Sequence, residues 1–219
     1  MAEERSPYED IAAAIGDVCM WWSNIEHEIH DLVLHLAMCL DPVFEKQGPF
    51  DVLHFTLSHM DVRQLIATAK SLATHVYDEH SPAFYERAEI ILNFVDNDLR
   101  PERNRYVHDL WAVEGATISR SRLEPKIHRP QSRTRAFSTY AISRYSDLAA
   151  VRSLGDTLEQ TYQDLAELDN HIAWLCEQRQ ASPTFQQPLP EEWKSIVRYS
   201  SQKSERPERP PRPFRNESE

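Results

Sequence analysis

Nine consecutive residues carry the strongest chemical signal in the chain: Arg103, Asn104, Arg105, Tyr106, Val107, His108, Asp109, Leu110 and Trp111. Asn104 and His108 stand four apart, so a helix puts them on one face. Arg103 lies five residues before His108, about 140° away around a helix, a gap that a long side chain narrows. Imidazole titrates near neutral pH and can accept or release a proton. Guanidinium keeps its proton and forks onto phosphate oxygens. The Asn104 amide can orient either group. These three residues can cleave RNA without a cation or cofactor. His108 would activate the ribose 2′-hydroxyl or protonate the leaving oxygen, and Arg103 would stabilise the charge gathering on phosphorus. The product of that chemistry is a 2′,3′-cyclic phosphate.

Such a triad needs helices to hold it, and the sequence supplies them. Ile11, Ile15, Val18, Trp22, Ile25, Ile29, Leu32 and Leu36 alternate spacings of four and three. That pattern predicts an amphipathic helix from about Tyr8 to Cys39, stopped by Asp41-Pro42. Pro49 opens a short helix over Phe50 to Ser58. Asp61 is the N-cap of a third helix carrying Leu65, Ala69, Leu72 and Val76. Ser81-Pro82 starts a fourth, with Phe84, Ala88, Ile91, Val95 and Leu99 on one face. Pro101 predicts a kink or short break, followed by a further turn or two through Trp111. Ser146 is the cap of a second long helix, whose Leu154, Leu158, Thr161, Leu165, Leu168, Ile172 and Leu175 repeat the four-three spacing up to Arg179.

The expected fold is therefore all-α: an antiparallel helical bundle over residues 8–180, with two long helices flanking shorter ones. Residues 112–143 break the pattern with Gly115, Pro125, Pro130 and short alternations, and are read as a loop or small β-hairpin insertion. Residues 181–219 hold Pro183, Pro188, Pro190, Pro207, Pro210, Pro211 and Pro213. They are read as a mostly disordered tail with one short apolar helix, Glu191 to Tyr199. The four-three spacing also suits packing against a second copy.

Composition narrows the classes. The chain has 219 residues, 41% of them hydrophobic, and a net charge of −11. That excludes a nucleic-acid wrapper of histone type. Four glycines argue against turn-rich β folds and glycine-rich phosphate loops. No apolar stretch approaches the ~20 residues of a membrane span, and Met1 to Asp10 carries no secretory pattern. The three cysteines, Cys19, Cys39 and Cys176, are scattered and odd in number. They are read as reduced thiols of a cytoplasmic protein, with no disulfide or zinc framework. Against the acidic whole, Arg100 to Arg135 holds nine basic and four acidic residues. A basic loop beside the triad is where an RNA backbone would lie, with Arg105, Arg120, Arg122, Lys126 and Arg129 as its contacts.

With the arginine, the polar residue, the three-residue spacer and the histidine in view, the chain resembles the all-helical HEPN superfamily. There the pattern lies near the start of a late helix in a bundle. The resemblance covers roughly Tyr8 to Arg179 and implies a metal-independent endoribonuclease, with Arg103, Asn104 and His108 as its catalytic residues. It further implies a homodimer whose two motifs face one cleft, and roles such as a toxin or phage-defence effector with an antitoxin or regulatory partner. One departure is Asp109, where similar sequences often have glycine. A carboxylate beside His108 would raise its pKa or repel RNA. The alternative is a non-catalytic helical binding module using the same residues for folding or partner contact.

Other candidates read as structural. His27, His30 and His35 sit on the first helix among Glu26, Glu28 and Asp31. His27 and Asp31 could touch one metal ion. In the four-three register, though, His27 and His30 fall opposite the apolar stripe and are expected to face solvent, so no metal site is assigned. Glu26 could reach toward Arg103 but reads as an exposed helix carboxylate.

Overall fold

Ser6 starts the first helix by a reciprocal cap. Its hydroxyl accepts from the Glu9 amide at 3.3 Å and its own amide donates to the Glu9 carboxylate at 2.8 Å. Pro7 fills the first helical position, and helix α1 runs Pro7–Leu40. In this computed structural model the described residues are 6–77, 82–114, 117–127, 137–145 and 148–181. The Ser81 and Ser146 caps, Arg129 and the tail 182–219 lie outside them.

Asp41 ends α1, and its carboxylate accepts from the Val43 amide at 2.9 Å to start a 3-10 turn, Pro42–Glu45. Helix α2 follows at Gln47–Leu57, starting three residues earlier than Pro49 suggested. Helix α3, Val62–Tyr77, is capped as expected, with Asp61 and Gln64 exchanging side chain-to-backbone hydrogen bonds at 2.9 Å. Helix α4, Pro82–Phe94, widens into a π turn, Val95–Leu99, and continues as α5, Arg100–His108. Pro101 has no N–H for the Asn97 carbonyl and would clash with it in a regular α turn. The wider turn just before it keeps the helix continuous, so the predicted break is a bulge instead.

The predicted extension of this helix to Trp111 does not hold: Asp109 is extended and β1 begins at Leu110. Strands β1 (Leu110–Glu114), β2 (Thr117–Ile127) and β3 (Phe137–Tyr145) form an antiparallel meander in that order. The insertion is thus a three-stranded sheet, and the rest of the described structure is mostly helical. Helix α6, Leu148–Ala181, closes it.

The core lies along α1 and α6. Of the predicted stripe on α1, all but Ile15 are buried, as are all seven residues named on α6. The pairing of these helices differs from expectation. Asp10 meets Arg152, Trp21 meets Tyr162, and His35 meets Asp169. Both numbers climb together, so α1 and α6 run parallel. Helix α4 is antiparallel to α6, through Arg87–Glu167 and Phe84–His171. The chain must return between its two long helices, and the shorter helices with the sheet make that return. Apolar periodicity fixes which face of a helix is buried, not its direction.

The parallel pairing also overturns the cysteine reading. It brings Cys39 beside Cys176, Cα atoms 5.0 Å apart, and the two form a disulfide. Cys19 is free. Among the described residues no helix is long and apolar enough to cross a membrane.

Candidate functional site

The end of α5 is shaped by what surrounds its last turn. The Trp111 indole N–H donates to the Tyr106 carbonyl at 2.8 Å, satisfying one of the acceptors a helix leaves open at its C-terminus. Tyr106 is buried, and its ring stacks on Trp111 at 6.0 Å. Upstream, Asp96 in the π turn accepts from Arg100 at 2.8 Å and faces Arg63 at 3.5 Å. The segment carrying the triad is therefore fastened at both ends.

Within it, Arg103 is half-buried, its guanidinium 5.5 Å from the centre of the Trp22 ring. Nη1 donates to the Asn104 amide oxygen at 3.0 Å. The Nε is buried with no hydrogen-bond acceptor among the described residues, and no carboxylate there forms an ion pair with it. Among the described residues, Arg103 thus has no paired carboxylate and keeps unused donors. His108 is exposed on the last turn, and Arg105 is exposed as well. The structure brings Arg103 and Asn104 together; His108 shares their helix without a hydrogen bond to either among the described residues. Glu26 makes no ion pair with Arg103, and the α1 residue that does meet it is Trp22.

Arg120 departs from its predicted place in an RNA-holding surface. It stands opposite Trp111 in the β1–β2 register, which turns it inward. It is 8% exposed, its guanidinium lies 4.4 Å from the Tyr106 ring centre and 5.9 Å from that of Trp111, and its Nε is 3.4 Å from Asp109. The Asp109 contact is coulombic, since Arg120 Nε has no hydrogen bond of good geometry. Asp109 is thereby committed to Arg120. Arg122 and Lys126 lie on β2, but their side chains, like Arg129, fall outside the described residues.

A second group of titratable residues sits on α1 and α6. His30, expected to face solvent, is only 8% exposed, while His27 is exposed as expected. His35 Nδ1 lies 2.7 Å from the Asp169 carboxylate. The hydrogen bond to Asp169 raises the His35 pKa above its ordinary 6.5, against the opposing effect of burial. Burial, reinforced by Asp169 and Asp31, lifts the Glu28 carboxyl to about 7. Burial lowers the His171 pKa. His27, His30 and Asp31 offer ligand atoms within 4.8 Å of one another, the kind of set that can hold a metal. Sequence reading missed Asp169. It is 134 residues from His35, and only the parallel packing of the long helices brings them together.

No family model, no curated protein and no solved structure matches this chain.

Proposed function

We propose that the chain is a HEPN-like, metal-independent endoribonuclease, working as a homodimer. Arg103 binds the scissile phosphate, Asn104 orients the guanidinium, and His108 moves the proton. The observation that carries this reading is Arg103 itself: a half-buried guanidinium held by an aromatic face and an amide, with no carboxylate partner among the described residues. An arginine kept in that state has its attraction for an anion unspent. The exposed imidazole on the same short helix lies where a substrate can meet it. The five-residue offset between the two groups is what a second subunit, presenting its own motif across a cleft, makes good.

The test is incubation of purified protein with RNA in EDTA, with analysis of product ends. Cleavage yielding 2′,3′-cyclic phosphates, lost in His108→Ala and in Arg103→Ala, supports the reading. An inactive wild type in dimeric form sinks it. The Trp22 and Asn104 contacts of Arg103 also favour a second reading, a non-catalytic helical module in which Arg103 is a packing residue. In that case Arg103→Ala melts the protein at lower temperature and His108→Ala changes nothing.

A further inference from the structure

We propose that His27, His30 and Asp31 on α1, joined by His54 on α2, form a divalent transition-metal site of zinc type that fastens α2 to the bundle. Spacings of three and four put the α1 residues on one face. One carboxylate serves two imidazoles: Asp31 Oδ2 lies 3.4 Å from His27 Nε2, and Asp31 Oδ1 lies 3.2 Å from His30 Nδ1. In a tetrahedral zinc site with bonds of about 2.0–2.1 Å, neighbouring ligand atoms stand about 3.3 Å apart. The two Asp31 contacts, made by different carboxylate oxygens, are each near that edge. One ligand atom from each residue lies within 4.8 Å of the others, so side-chain rotation alone would draw the set onto one ion.

The neighbouring imidazole comes from a different element. The His54 ring meets His30 edge-on with centres 4.9 Å apart. The donor atoms already gathered are two imidazoles and a carboxylate, a set that suits zinc and its neighbours rather than magnesium or calcium. His54 is the adjoining imidazole that a ring rotation would bring to the fourth position. Helix α2 has reason to need such a tie. It has 11 residues, no side-chain cap at its start, and Leu57 as its one buried side chain among the described residues. Val52 and Phe55 are 68% and 66% exposed. A helix of that length is marginal on its own, and packing normally has to hold it. A metal bridging His30 and His54 would add a second tie to the packing of Phe50, Leu53 and Leu57 against the core.

The experiment uses the full chain, stripped with EDTA and dialysed free of it. Zn2+ binding is followed by calorimetry and Co2+ binding by its visible absorption. One ion per chain is expected, with tetrahedral Co2+ bands. His27→Ala and Asp31→Asn, both outside the sealed core, should each weaken Zn2+ binding by more than about 100-fold, since even groups one shell out cost about 10–100-fold. His54→Ala should weaken it less and leave α2 open to protease in the presence of Zn2+. Unaltered helix content by circular dichroism keeps these variants interpretable. Absence of saturable binding in the wild type overturns the proposal, as does equal affinity in His27→Ala and Asp31→Asn. RNA cleavage is no readout here, so failure of this site leaves the nuclease reading standing, and the converse also holds.

Discussion

The turn around Arg103 and the lower half of the α1–α6 pair use similar residues to opposite ends. Around Arg103 a guanidinium rests on Trp22 and Asn104, and its charge is left unanswered by any described carboxylate. Between α1 and α6, the His35 imidazole is matched by Asp169, and the adjoining ends of both helices are joined by Cys39–Cys176. Arg120, a few residues beyond the triad, belongs with the second kind: it is buried, paired with Asp109 and covered by rings. The contrast separates chemistry-bearing residues by what they have left over. A group whose charge is matched in the fold stabilises the fold, and a group held in place with capacity to spare can act on something else.

The contrast breaks most visibly in activity. His108→Ala should cut RNA cleavage by about 10²–10⁴-fold, the usual range for a general acid or base. Its melting temperature should stay near that of the wild type, because the side chain is exposed. If cleavage persists in this variant, the capacity left at Arg103 is not used with His108. The corresponding change at the other region should do the reverse. Reduction, or Cys39→Ser, opens a loop spanning 137 residues, and should lower unfolding free energy by up to about 5 kcal/mol in the chain-entropy account. Denaturant titration with and without reductant measures this, while cleavage at 25 °C should be little changed.

Arg120 tests the dividing line itself. Arg120→Met leaves the Asp109 carboxylate buried without its partner, a change that costs about 3–5 kcal/mol in comparable sites. Asp109→Asn in the same chain should recover much of the loss. Were Arg120 a phosphate contact instead, Arg120→Met would reduce the salt slope of RNA binding by about 1 with little loss of stability. Filter binding across salt concentrations and urea melts of the same preparation distinguish the two.

These regions also differ in how readily the sequence discloses them. Arg103, Asn104 and His108 lie within six residues of one another, so helical geometry alone relates them. The burial of α1 and α6 follows from periodicity for the same local reason. Helix direction, by contrast, depends on how the intervening chain returns. From the parallel arrangement follow the His35–Asp169 contact and the disulfide, neither of which local spacing encodes. His30 shows the limit on a single side chain. Its register faces away from the apolar stripe, yet α2 folds over it and buries it. Arg120 was hidden by a different cause: the strand register, which sets it opposite Trp111, decides that it faces in.

The smallest expected effect concerns pH, and it has a definite sign. His35 holds its proton more tightly in the folded chain than in the unfolded one, chiefly through Asp169 on α6, with Asp31 and Glu28 on α1 adding to the field. Stability from this source is complete below pH 6.5, the unfolded value, and fades as pH rises through the raised folded value. His171 acts the other way, because its lowered pKa costs stability as pH falls below 6.5. Asp169→Asn keeps an acceptor for the ring but removes the charge. It should cost about 1–2 kcal/mol near pH 6, the low side of a charged hydrogen bond because His35 is partly exposed. The cost should shrink toward pH 9, where wild-type His35 is itself losing its proton. Urea melts of both proteins at the two pH values give the comparison. A difference that grows with pH would mean that the His35–Asp169 contact is not a charged pair, and the contrast with Arg103 would then rest on the disulfide and Arg120 alone.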